Sequence, residues 1–447
     1  MMPKKFVFIG AGSLDFTREL IRDILTFEAF RDAELCLVDI DPIRLEYARK
    51  GVERIVKAGG YPATIFTTTD RTEALQDADG VLITILQGGV EVWRNDIEIP
   101  KKYGVDVCVG DTRSASGIFR FLRTAPVMLE IIRDCEKYCP KAIVLNYTNP
   151  MAMLIRFLRE QTKIAVTGLC HSVQGTAMML AEWIGKDIAD IDYCCVGINH
   201  QAFYIRYTDK EGNDLYPAIF KAIEDPKIYN EEIIRNDMLR HLGYFTTESS
   251  GHVSEYNWWY RKNPELIEKY TKEGTGWNRG DYGSILQEYL DREDTWENEY
   301  KEWLINGELE LEKGEEYASN IFNAIFGDNT SFLFNGNIPN YGLITNIKEG
   351  ACVEVPVVAD KDGIRPIGVH RLPDHLALLV NLSAGIEDLA VKAVIEKDPE
   401  MVLHAIMMDP LCSTVLSLVE IRMMVKEMFE ANKQYLTYFD AEDINKL

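Results

Sequence analysis

Lys5-Phe-Val-Phe-Ile-Gly10-Ala-Gly12-Ser13-Leu-Asp15 joins an apolar run to a helical pattern through two glycines. Glycines at the end of a strand let backbone N–H groups and the positive end of the next helix approach a pyrophosphate. Asp15 stands where the usual G-x-G-x-x-G carries its third glycine, a residue that mainly serves close helix–strand packing. The glycines alone therefore also fit a tight turn without a ligand. The next apolar run, Leu35-Cys-Leu-Val-Asp39-Ile-Asp41-Pro42, ends in an acid. That acid lies near the ~20-residue spacing at which a carboxylate accepts hydrogen bonds from the adenosine ribose. Asp39 is the expected ribose ligand, and its charge favours NAD over NADP by repelling a 2′-phosphate. Asp41, directly before Pro42, reads more simply as a helix N-cap. Gly10, Gly12, Ser13 and Asp39 form the expected dinucleotide site.

Around this turn, the first ~195 residues alternate short strand-like runs with amphipathic stretches, the pattern of a parallel sheet wrapped by helices. The runs are Phe6–Ile9, Glu34–Val38, Ala63–Thr67, Gly80–Ile85, Ala142–Asn146 and Ile164–Thr167. They predict an α/β, Rossmann-type doubly wound sheet over residues 1–195. After Asp192 the pattern changes to paired runs, Tyr193–Ile198 and Ala202–Thr208, and then to aromatic-rich helical stretches. Residues 196–447 are therefore expected to form an α+β substrate- and metal-binding domain, in an architecture like that of lactate and malate dehydrogenases.

Composition narrows the partners. The chain has 447 residues, with 48 Lys plus Arg against 71 Asp plus Glu, a formal net charge of −23. Such a polyanion repels phosphate backbones and anionic lipid, so neither nucleic acid nor a membrane is an expected partner. No apolar run approaches the ~20 residues that span a bilayer, and no signal peptide is visible, so the expected location is the cytoplasm. Nine scattered cysteines suit a reducing compartment.

Four segments place polar side chains at the ends of strands, where open parallel sheets bind ligands. They are Val109–Arg113, Leu145–Pro150, Gly168–Val173 and Gly197–His200. Cys170 with His200 lacks the four ligands of a structural zinc site but would suit a catalytic divalent ion with open positions. By spacing alone Cys170 more simply fits a core position, the usual place of a cysteine at a strand end. A rival reading makes His171 or His200 the acid–base of a 2-hydroxy acid dehydrogenase, with Arg113, Arg120 or Arg123 clamping a carboxylate. His241, His370, His375 and His404 read as surface or core residues. A third reading, an NAD-sensing protein without turnover, leaves the clustered polar strand ends unexplained. Net NADH production would mark a dehydrogenase.

At these residues the chain resembles glycoside hydrolase family 4, the NAD- and manganese-dependent glycosidases, most closely its α-galactosidase branch. The resemblance is carried by Phe8–Ser13, Val38–Pro42, Asn146–Met153, Gly168–Thr176, Gly197–His200, Leu242–Ser250 and Met407–Pro410. It implies a glycoside hydrolase in which Cys170 and His200 bind Mn²⁺, Asn149 and Asp111 hold sugar hydroxyls, and His171 lies near the leaving-group oxygen. The family's base is often a tyrosine in the segment matching Gly243–Tyr260. Tyr256 is the candidate, with Glu248, His252 and Tyr260 competing. The implied substrate is a small glycoside and the expected assembly a homodimer or homotetramer.

The implied route departs from two-carboxylate glycosidase chemistry, to which NAD-dependent members are exceptions. NAD⁺ takes hydride from C3 of the sugar, a base removes the acidified C2 proton, and Mn²⁺ holds O2 and O3. The aglycone leaves by elimination, water adds, and the hydride returns. One departure from the α-galactosidase pattern is Arg113, which follows Asp111-Thr112 where glycine-rich sequence is usual. An arginine beside the sugar admits an α-galacturonide or α-glucuronide, while pairing with a protein carboxylate or the cofactor phosphate is its plainer role.

Overall fold

The computed structural model describes residues 3–271, 280–369 and 371–447, so His370 lies outside the described residues. Six parallel strands, β1 (Lys5–Ile9), β2 (Glu34–Val38), β3 (Thr64–Thr68), β4 (Gly80–Ile83), β5 (Ile143–Asn146) and β6 (Val166–Gly168), lie in the order 3-2-1-4-5-6. That is the doubly wound dinucleotide order. Their side chains explain it. Phe6 and Phe8 of β1 pack with the helices Leu14–Thr26, Pro42–Gly59 and Tyr317–Phe326 on one face. Val7 and Ile9 enter the opposite layer, under the helices Gly89–Lys102, Ser114–Tyr138 and Met151–Gln161. Each such buried side chain stabilises the fold by about 1.5–3 kcal/mol, which only a sheet covered on both faces can collect from every position of a strand.

The sheet does not stop at β6. It continues through β9 (Phe332–Pro339), β10 (Cys352–Asp360), β7 (Ile191–Ile198) and β8 (Gln201–Asp209), all antiparallel, with β11 (Gly363–Pro366) paired to β10. Gly168 of β6 meets Asn337 of β9, and Glu354 of β10 meets Gly197 of β7. The sequence did not suggest β9, β10 or β11. The expected boundary between residues 195 and 196 lies inside β7, so the two halves share one sheet. Among the described residues, no helix is long and apolar enough to cross a membrane.

Local signals set the edges of the site. Asp41 caps the helix Pro42–Gly59, accepting from Ile43 N at 2.8 Å and Arg44 N at 3.2 Å, as its place before a proline predicts. Gly10 has φ +90°, and a Cβ there would lie 2.3 Å from the Thr84 carbonyl oxygen. Gly10→Ala should therefore lower the unfolding free energy in urea by at least about 1–3 kcal/mol, the usual cost of a strained backbone residue, with steric repulsion added. An unchanged urea midpoint would show that the turn can rebuild around a side chain.

Candidate active site

The carboxyl ends of β1 and β2 meet at the glycine turn. Asp39 accepts from Gly12 N at 2.6 Å and from Asp41 N at 2.9 Å, and a Cβ on Gly12 would lie 2.7 Å from the same carboxylate. Ser13 heads the helix Leu14–Thr26 without a capping bond, leaving the helix's positive end open. Ile40, 90% exposed, stands beside Asp39. The turn thus offers backbone N–H groups, a carboxylate and an apolar surface side by side, which fits a dinucleotide.

The four polar segments converge. Asn149 Nδ2 donates to Asp111 Oδ2 at 3.0 Å, and Thr112 Oγ1 lies 2.7 Å from Asp111 Oδ1 and 3.0 Å from His200 Nδ1. Cys170, His200 and Glu248 each place a ligating atom within 4.8 Å of the others. A thiol, an imidazole and a carboxylate so gathered fit a borderline divalent ion, with Asp111, His200 and His252 forming a second such group. Tyr256, 3% exposed, puts its hydroxyl 3.4 Å from His200 Nδ1. His200 sits in the tight turn between β7 and β8 with φ +61°, and Ser114 and Glu248 are also left-handed, at +62° and +67°. Strained non-glycine residues gathered in this way are characteristic of functional sites.

Electrostatics hold the cluster. Burial pushes the His252 imidazole down, but Glu248 and Asp111 outweigh it and raise it to about 9. Burial would raise Asp111, yet the His252 imidazole 3.5 Å away, with Arg120 and His200, holds it far below the usual carboxylate range. Glu248 is likewise held down, against burial, by His200, His252 and His171. Burial lowers His200 to about 4, leaving it neutral and able to ligate a metal. Burial, reinforced by Glu248 and Glu354, raises the Cys170 thiol well above its usual range. A cation is what would release that proton. Burial also raises the Tyr256 phenol, while Arg113, 4.7 Å over its ring, works the other way.

Arg113 takes the plainer role, donating to the Asn199 carbonyl at 2.7 Å and pairing with buried Glu387 at 3.3 Å, while its Nε and Nη1 are buried without a hydrogen-bond partner. Tyr260 leaves the contest for the base, because its hydroxyl donates to Asp237 at 3.0 Å and its ring belongs to the core on the Phe6 face of the sheet. His171 stands at the rim, 63% exposed and 3.4 Å from Glu316. Sequence reasoning missed Glu255, whose carboxylate accepts from the backbone of Cys108 and Val109 at 2.6 Å each and of Gly110 at 3.1 Å, fixing the loop that presents Asp111. It weighed Glu248 and His252 only as bases, where geometry makes one a candidate ligand and the other the charge between two acids. No spacing signal marks either role.

Residues 5–186 match the model of family 4 glycosyl hydrolases, and residues 195–412 match the C-terminal domain of the same family. The chain belongs to glycosyl hydrolase family 4 and is a glycoside hydrolase. It is 36% identical to an alpha-galactosidase of Rhizobium meliloti (strain 1021) over 97% of this chain and 89% of that protein. It is 29% identical to an alpha-galacturonidase of Thermoanaerobacter italicus (strain DSM 9252 / Ab9) over 97% of each chain. Among solved structures, a 6-phospho-alpha-glucosidase from gut microorganisms, in complex with NAD and Mn²⁺, shares the fold with a TM-score of 0.81 at 23% identity, covering 97% of this chain and 99% of that one.

The raised His252 has a measurable effect on stability. Because its folded value lies above the ordinary histidine value near 6.5, its stabilising contribution is complete below that pH and is lost as pH rises through about 9. In protein stripped of divalent ions, His252→Gln should be less stable than wild type by roughly 1–3 kcal/mol at pH 6. The gap should close as the pH passes about 9. A gap independent of pH would mean that His252 acts through packing alone.

Proposed function

We propose that this glycoside hydrolase is an α-galactosidase that works with bound NAD and a divalent ion, Mn²⁺ first among them. The observation that carries the reading is the meeting of Cys170, His200 and Glu248 with the Tyr256 hydroxyl and the Asp111–Asn149 pair. The greater identity to an alpha-galactosidase than to an alpha-galacturonidase supports the neutral sugar. The pairing of Arg113 with Glu387 supports it too, because a protein carboxylate already faces that guanidinium.

In this reading Gly10, Gly12, Ser13 and Asp39 hold the dinucleotide on the part of the chain before residue 196. Cys170, His200 and Glu248 hold the ion. When bound, NAD supplies a reversible hydride acceptor and the ion a Lewis acid for sugar oxygens. Asp111 and Asn149 orient the sugar through its hydroxyls. Tyr256, as the phenolate that Arg113 over its ring favours against burial, takes the C2 proton. His171, at the rim and raised by Glu316, gives a proton to the departing oxygen. The site of action is the cytoplasm. The assembly is a homodimer or homotetramer, a reading supported by exposed Leu418, Val419 and Met423 on the helix Leu418–Asn432.

Hydrolysis of nitrophenyl α-galactoside should require NAD⁺ and Mn²⁺ while no NADH accumulates, and deuterium at C2 should wash out into solvent. Full activity after exhaustive removal of both cofactors would sink the reading. Tyr256→Phe should lower kcat by about 10²–10⁴-fold, and Cys170→Ser and His200→Ala should abolish the metal-dependent rate. All three should bind NAD with wild-type affinity by calorimetry, since the glycine turn and Asp39 are untouched. Equal loss of NAD affinity would show that the two sites are not separate.

A further inference from the structure

Two of the candidate ion ligands hang from the ends of one row of residues. Cys170 follows β6 and His200 follows β7, and β9 and β10 lie between those strands. Where β6 meets β9, one residue pair is in register, Gly168 with Asn337, and where β10 meets β7 it is Glu354 with Gly197. Asn337 and Glu354 stand opposite one another on β9 and β10. Gly168, Asn337, Glu354 and Gly197 therefore form a single row across four strands, which ends two residues before Cys170 on one side and three before His200 on the other. At the usual ~4.8 Å between strands, the ends of the row lie about 14 Å apart. From that base the two chain segments converge until the Cys170 and His200 ligating atoms come within 4.8 Å of each other.

Inside the row the side chains are polar where no water reaches, for Asn337 and Glu354 are both 0% exposed. The Asn337 amide donates to Glu354 Oε1 at 3.3 Å and to the Gly168 carbonyl at 3.4 Å, while Glu354 Oε2 and Asn337 Oδ1 have no hydrogen-bond partner. A Cβ on Gly168 would lie 2.9 Å from Asn337 Cβ, so the row is tightly packed at that end. Stability is a poor account of this pair. Unmatched buried polar atoms are costly, and two polar partners replaced together by apolar groups of the same shape can leave stability unchanged or raise it. What apolar packing lacks is direction. One amide shared between the Gly168 carbonyl and Glu354 holds β6 at a fixed offset from β10, and β10 carries β7 with it. Neither residue belongs to the groups that could ligate an ion, so their effect on the ion passes through the backbone.

We propose that Asn337 and Glu354 are positioning residues of the ion site, a hydrogen-bonded bridge across the two middle strands that sets the spacing of Cys170 and His200. The proposal deepens the metal-dependent reading and rests on it for the identity of those ligands.

The test uses NAD-loaded protein stripped of divalent ions and titrated with Mn²⁺, or with Co²⁺, whose thiolate charge-transfer band reports the bond to Cys170. Removing the pair as Asn337→Leu with Glu354→Met should weaken Mn²⁺ binding roughly ten- to a hundredfold, the usual effect of losing an outer support of a metal site. The cobalt–thiolate band should shift or fade, while the urea midpoint stays at or above that of wild type and NAD affinity is unchanged. Glu354→Gln keeps an acceptor for the Asn337 amide and should retain wild-type ion affinity and the wild-type band. Should the double variant fail to fold, Asn337→Ser, too short to reach either acceptor, takes its place with the same expectation for ion binding. Wild-type Mn²⁺ affinity and an unchanged band without the pair would overturn the proposal, and so would an equal loss in Glu354→Gln. If wild type binds neither ion, the metal reading fails by itself, and hydrogen exchange in ion-free protein still decides the bridge. The amides of residues 169–171 and 198–200 should then exchange faster in the variant than in wild type while those of β1 and β2 keep their protection. Unchanged exchange in both segments would overturn the bridge.

Discussion

Two carboxylates that stay ionised, Asp111 and Glu248, are buried on either side of His252, and the site depends on that arrangement. His252 Nε2 lies 3.5 Å from Asp111 and its Nδ1 lies 3.3 Å from Glu248, with both side chains largely shielded from water. Buried charges of one sign are tolerated only with compensation. A single imidazolium compensates for one acid. Arg120 helps to keep the other ionised, and the Cys170 thiol and neutral His200 stand beside Glu248 as candidate ligands. Glu255 makes the geometry durable, because its three backbone hydrogen bonds tie the loop carrying Asp111 to the segment that carries Tyr256. Asp111 and Tyr256, proposed to orient the sugar and to take its proton, are therefore held by adjacent residues of one segment.

The first half of the fold was readable because its strands obey one rule. Buried on both faces, β1, β2 and β4 appear as continuous apolar runs, and the glycines at Gly10 and Gly12 mark where the first one ends. β9 and β10 break every such rule. Phe332–Pro339 contains Asn335, Gly336, Asn337 and Pro339, which read as a turn. Asn335 and Asn337 are nonetheless buried, their amides donating to the Cys195 and Gly168 carbonyls. β10 carries Glu354 and Pro356 in its interior, a fully buried acid and a residue without an N–H. Burial raises Glu354 to about 8, so it is held largely as a neutral acid. Such residues become strand residues only when tertiary partners satisfy them, and no local pattern announces those partners.

The site divides in the same way. Cys170, His200, Asn149 and Asp111 were legible because a motif of the family resemblance fixes each to a position, whereas Tyr256 was one of four candidates in a segment whose register no motif fixes; the structure gathers all five in one place. Arg113 and Arg120 were not separable by sequence. Both lie on the same stretch with the same chemistry, and Glu387, some 270 residues further on, is what gives Arg113 an ion pair. His252 shows the same limit, since its charge depends on two acids that the fold, rather than the local sequence, brings to its ring.

The unbroken sheet has a kinetic consequence. Many two-part enzymes admit a ligand by swinging one domain away from the other about a flexible link. Here β6 bonds to β9 and β10 bonds to β7, so the strands that carry the glycine turn and those that carry His200 belong to one plate. A plate of paired strands twists but does not hinge open without breaking backbone bonds. Whatever rests on the glycine turn is released only by loosening its own contacts, and a small molecule can come and go at the rim by His171 without disturbing it. The architecture separates two residence times, a long one for the group seated against the strand ends and a short one for the molecule that passes over it.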